Sequence, residues 1–156
     1  MKEAIKTGVS FGLTSGTITT LGLMVGLFSG THSRMVVLGG ILIIAVADAM
    51  SDALGIHIAE ESEGHHSEKQ IWAATGSAFF TKFLYTLTFV IPVLLFSLKT
   101  AIFVSIVYGL IILGVLSWKI AKKKERAMVM REHLVIAIIV IALTYFVGSI
   151  VGAVFV

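Results

Sequence analysis

The sequence predicts an all-α integral membrane protein, a bundle of five transmembrane helices. Three observations carry that expectation. Of the 156 residues, 57% are hydrophobic and only 13% charged, about half the charged share of an ordinary soluble domain. Mean hydropathy is +1.01, which means more apolar surface than one small core can hide, so lipid must solvate most of the chain. The apolar residues also fall into five runs, at about 7–29, 35–59, 71–98, 100–118 and 134–155, each near the ~20 residues that cross the hydrocarbon. Disorder is excluded by the same composition. The absence of cysteine excludes disulfide scaffolds, thiolate metal sites and cysteine nucleophiles, so any metal must be held by oxygen or imidazole.

Orientation follows from the basic residues, because cytoplasmic loops carry the excess of Lys and Arg. One side collects Lys2, Lys6, Lys69, Lys119, Lys122, Lys123, Lys124, Arg126 and Arg131; the other has only Arg34 and Lys99, and Lys82 falls inside the third run. The N-terminus is therefore expected in the cytoplasm and, after an odd number of crossings, the C-terminus outside. The net charge of +3 is accounted for by the lysines of one loop and marks topology rather than a nucleic-acid partner. One transmembrane domain over residues 1–156 is expected, and its short polar loops suit a prokaryotic plasma membrane.

The first run contains Ser15, Thr17, Thr19 and Thr20 and lacks a small-residue cleavage site in a polar setting, so it reads as a retained helix rather than a signal peptide. Gly8, Gly12, Ser15, Thr19, Gly22, Gly26 and Gly30 fall within about an 80° arc of that helix. A face so bare lets another backbone approach closely, which is how helices associate where no hydrophobic effect drives them together. The neighbour is either another helix of this chain or the same helix of a second copy, and the spacing fits both, with the homodimer slightly preferred. Gly148 and Gly152 repeat the pattern more weakly in the fifth run.

The second run holds Asp48 and Asp52, one turn apart. A mid-helix carboxylate costs about 2.5–3.5 kcal/mol on insertion scales, so a pair by default marks a functional path. The two differ by about 40° around the helix, and Gly55, Ala59 and Glu63 continue their face. Two carboxylates at this spacing can share a proton or a cation, and so exchange one for the other. Glu60, Glu61, Glu63, His65, His66 and Glu68 follow at the cytoplasmic end of the same helix. Hard oxygen ligands with some imidazole suit Mn, Fe(II), Zn or Ca; the plainer reading is a solvated acidic loop. His57 and Glu61 form an i,i+4 pair on the opposite face.

In the third run Lys82 lies at a depth of roughly 18 Å if the helix starts at Ile71. Two readings compete: the ammonium neutralises Asp48 or Asp52, or the side chain snorkels to the surface. Met24 and Met50 read as packing rather than soft ligands, and the basic cluster before the fifth run reads as a topology signal in contact with anionic lipid.

The stretch Ser15-Gly16-Thr17-Ile18-Thr19-Thr20-Leu21-Gly22-Leu23-Met24-Val25-Gly26-Leu27 resembles the first-helix signature of the vacuolar iron transporter family, approximately D-G-L-V-S-T-x-x-L-V-V-G. Ala47, Ala49, Ser51, Ala53 and Gly55 are in register with that family's second-helix A-G-A-x-S-M-A-x-G-E, Pro92 falls where its third helix carries proline, and the segment from Ala142 to Gly152 is similar to its last-helix T-Y-x-x-G-x-x-x-G. The resemblance implies a homodimer whose first two helices line a metal path, moving Fe(II) or Mn(II) out of the cytoplasm in exchange for protons. This chain has Ser15 at the family's aspartate, Asp48 at a glycine, Asp52 at the methionine ligand and Ile56 at a glutamate, and a short Glu/His loop in place of a long cytoplasmic metal-binding domain. An oxygen-only site favours harder ions such as Mn or Ca.

The first expectation is therefore a proton-coupled divalent-metal exporter, an antiporter with no permanently bound cofactor and the metal ion as substrate. Asp48 and Asp52 form its ion and proton site, Ser15 a neutral ligand, and Glu60, Glu61, Glu63, His65 and His66 the cation-collecting mouth. The alternative is a non-transporting membrane partner or sensor in which the Asp pair meets Lys82 and only stabilises the bundle. An intramembrane enzyme rests on Asp-x-x-x-Asp alone, without a G-x-G-D element or an H-E-x-x-H helix, so no enzymatic activity is expected.

Overall fold

The computed structural model describes residues 1–155. It is all-helical, with α1 over Lys2–Thr31, α2 over Arg34–Glu63, α3 over Glu68–Thr88, α4 over Val90–Leu95, α5 over Leu98–Ile120 and α6 over Arg126–Phe155. Among the described residues, five crossings are long and apolar enough to span a membrane, with α3 and α4 together making the third. The chain is an integral membrane protein by this measure, and its burial pattern agrees. The most apolar crossing, α6, has only 11% of its apolar window buried, whereas the least apolar, α1, has 44%. A water-soluble bundle would reverse that order, because the most apolar helix would be hidden first.

Local chemistry sets the boundaries. His32 closes α1 in the left-handed region at φ 50, its N–H reaching Phe28 O at 3.0 Å, and Ser33 then caps α2 by accepting from Val36 N, so a two-residue turn makes the first hairpin. Gly64, at φ 67, ends α2 where a side chain would be strained. Gln70 Oε1 accepts from the Ser67 N–H at 2.9 Å and so fixes the start of α3. The expected single run over 71–98 is divided: α3 stops at Thr88 and α4 restarts at Val90. Pro92 is the cause, since it offers no N–H to Thr88 O and its ring crowds that carbonyl. The last crossing begins at Arg126 rather than at 134, so part of the expected basic loop is helical.

Helix α1 is the centre, packed against α2, α3, α5 and α6. Its glycines explain how. A Cβ on Gly12 would lie 2.8 Å from Ala78 O of α3, and one on Gly30 would lie 2.9 Å from Gly148 O of α6. The bare face is thus shared lengthwise, Gly8, Gly12 and Gly16 admitting α3, and Gly22, Gly26 and Gly30 admitting α6. Of the two neighbours left open by the spacing, the glycines meet helices of their own chain. Gly152 completes the second contact, where a Cβ would sit 2.6 Å from Gly30 O. On α2 the row Val37, Ile41, Ala45, Ala49 and Ala53 is buried, and small alanines there bring α2 close to α3 and α1.

Candidate functional site

Ser15, Asp48, Asp52 and Lys82 each fall near the middle of their crossing, so three different helices deliver them to one depth. Asp48 and Asp52 flank the buried alanine row of α2. Lys82 comes from α3 and passes the glycine face of α1: a Cβ on Gly16 would lie 3.4 Å from Lys82 Cγ. Side chains at Gly12 and Gly16 would push α3 away and break this reach.

The ammonium of Lys82 lies 2.5 Å from Asp52 Oδ2, donates to Ser15 Oγ at 2.9 Å and pairs with Asp48 Oδ2. Lys82 is fully buried, so of its two expected fates it takes that of counter-ion and does not snorkel. The two carboxylates are unequal. Asp52 accepts a hydrogen bond from the ammonium, whereas Asp48 Oδ2 touches it without an aligned hydrogen bond and has no other such partner. Asp48 also borders a groove of about 670 Å³ between α1 and α2, lined by Thr19, Leu23, Leu27, Gly40, Ile44 and Ser51 among others. Two carboxylates and one ammonium carry a formal charge of −1. In a medium of low polarity such a group attracts one further positive charge strongly and gains little from a neutral ligand.

The Glu and His cluster after Ala59 does not condense in the same way. His66 Nδ1 and Glu60 Oε2 lie 2.6 Å apart, while Glu61, Glu63 and His65 are exposed to solvent. Among the described residues, no three His, Asp or Glu side chains come together as a metal-holding group. His57 bonds not with Glu61 but across to α3, its Nδ1 3.0 Å from Thr75 Oγ1 and its ring edge-on to Trp72.

Sequence reasoning missed the hydroxyl groups beside the charged cluster. Thr17 and Tyr85 hydroxyls lie 3.1 Å apart and those of Thr20 and Thr86 3.2 Å apart, all within the α1–α3 interface. Their signal was present, because Tyr85 and Thr86 follow Lys82 at i+3 and i+4 and so share its face.

No family model matches the chain, and no curated protein or solved structure matches it either. The resemblance to vacuolar iron transporters therefore rests on the motif residues themselves.

Proposed function

We propose that the protein is a proton-coupled cation exchanger that carries a divalent metal ion of the Mn or Fe(II) type, with Asp48 and Asp52 as its substrate and proton site. The observation that supports it is the meeting of two carboxylates and one ammonium at mid-depth, with Asp48 bordering a groove. Intramembrane ionisable groups of net negative charge are costly to keep, and the recurrent reason to keep them is passage of cations or protons. In this reading the N-terminus is cytoplasmic, the membrane is a prokaryotic plasma membrane, and flux runs outward. The exposed Glu61, Glu63 and His65, with the Glu60 and His66 pair, raise the local cation concentration at the cytoplasmic mouth by their field rather than by chelation. A homodimer belongs to the reading too. Its support is the open apolar groove along Ile18, Leu23, Leu27, Ile44, Leu143 and Val147, since the glycines of α1 are occupied within the chain.

Complete burial of Lys82 and its contact with both aspartates favour a second reading, a non-transporting membrane partner or sensor in which the cluster only holds α1, α2 and α3 together. The two are separated by uptake of Mn(II), Fe(II), Zn(II) and Ca(II) into proteoliposomes under an imposed pH gradient, comparing the wild type with Asp48→Asn and Asp52→Asn. Gradient-driven flux that needs both aspartates supports the exchanger. Absence of flux for all four ions in folded, inserted protein supports the partner.

A further inference from the structure

We infer that Lys82 is a tethered competitor of the substrate: its ammonium holds the two carboxylates when no metal does, and thereby restricts the site to cations of charge greater than one. The inference rests on the exchange reading above and assigns within it the residue that sets ion selectivity.

The ammonium occupies the position a transported cation would need. It meets Asp48 Oδ2 and lies 2.5 Å from Asp52 Oδ2, with a third partner in Ser15 Oγ at 2.9 Å. Any cation that binds both carboxylates must take them from Lys82, so the affinity of the site is a difference between two cations. A side chain anchored in the same interface has an effective concentration of millimolar or more. It also hydrogen-bonds its partners, which Na⁺ and K⁺ do not. A monovalent ion gains no more Coulomb energy from the two aspartates than the ammonium already has, and loses the competition. A divalent ion gains roughly twice as much from each carboxylate at similar distance and wins it.

The groove says where displacement starts. Asp48 borders it and Asp52 does not line it, so an arriving ion meets Asp48 first, and Asp52 is surrendered second. Ser15 Oγ is a partner the ammonium keeps when a metal holds only the aspartates. The return of the ammonium then expels the metal on the far side without leaving two unpaired carboxylates in the membrane interior, a state that low polarity makes costly.

The test is equilibrium binding of Mn(II) to the full-length protein in detergent, with and without K⁺, for the wild type, Lys82→Met and Lys82→Arg. Methionine keeps all but the last atom of the side chain's length and removes the competitor, so Mn(II) binds at least about tenfold tighter and K⁺ now competes. Arginine keeps the charge and grips two carboxylates with a planar fork, so Mn(II) binds more weakly than in the wild type, still without competition from K⁺. A purely structural lysine would not move affinity in opposite directions. Affinities unchanged in both variants, or lowered in Lys82→Met, overturn the inference while leaving a wild type that binds and transports metal in place as an exchanger. Conversely, a wild type that neither binds nor transports, beside a Lys82→Met that binds Mn(II), supports the competitor and overturns the exchanger. Should Lys82→Met fail to fold, Lys82→Arg carries the test alone, and an affinity equal to or above that of the wild type overturns it.

Discussion

The ammonium of Lys82 and the carboxylate of Asp52 lie 2.5 Å apart at the centre of the bundle, with side-chain exposures of 0% and 19%. Because Asp48 shares the same ammonium, the two ways of breaking this contact are unequal. Loss of one aspartate leaves a neutral ion pair; loss of the lysine leaves two like charges facing each other.

Stability should follow that asymmetry. Lys82→Ala is expected to destabilise the protein by about 3–5 kcal/mol, the usual consequence of stranding buried charge. Asp52→Asn loses one charge-assisted hydrogen bond, about 1.5–3 kcal/mol. Thermal unfolding in detergent at fixed pH and salt, without divalent cations, checks the order, and a Lys82→Ala protein more stable than Asp52→Asn would contradict it.

The close approaches of α1 make a second comparison. In Gly12→Val the new side chain starts 2.8 Å from Ala78 O, a backbone atom that cannot step aside. A loss of at least about 2 kcal/mol is expected, in line with overpacked interiors. Gly76 has nothing within 4 Å of its Cβ position, so Gly76→Ala should stabilise by up to about 1 kcal/mol through helix propensity. Melting curves of the two variants against the wild type decide the point.

A third expectation concerns the ends of α2 and α3 that the 64–67 loop joins. Thr75 Oγ1 donates its one proton to Ile71 O at 2.8 Å, so His57 Nδ1, 3.0 Å away, must be the donor between them. Thr75→Val removes that acceptor and should cost about 1 kcal/mol. It also frees the His57 ring, which stands 4.7 Å from that of Trp72. In a Trp118→Phe background, where Trp72 is the remaining tryptophan, its emission should change with Thr75→Val. Unchanged emission would show that Thr75 does not hold the imidazole in place.

What the sequence disclosed depended on whether the deciding physics was local. Five apolar runs and two mid-helix aspartates are properties of single segments, and both were legible, as was the depth of Lys82. Its fate was not, because snorkelling or pairing depends on the rotation of α3 against α1 and α2, which no one helix encodes. The glycine stripe was visible, yet small residues at helical spacing do not name their neighbour, so its division between α3 and α6 had to come from the structure. Pro92 was placed within the third crossing, but the restart at Val90 reflects crowding at Thr88, one turn earlier. The Glu and His residues after Glu60 are dense in sequence and apart in space, since a helix end and an exposed loop point most of them into solvent.

In the proposed exchanger the two aspartates are the place where a cation binds during transport. The most direct measurement is counterflow of Mn(II) into proteoliposomes preloaded with unlabelled Mn(II), which needs no pH gradient and reads the site itself. The wild type is expected to accumulate labelled ion, and Asp52→Asn, folded and inserted to the same extent, to lose at least about tenfold in rate. Equal counterflow in the two proteins would contradict the assignment of the site.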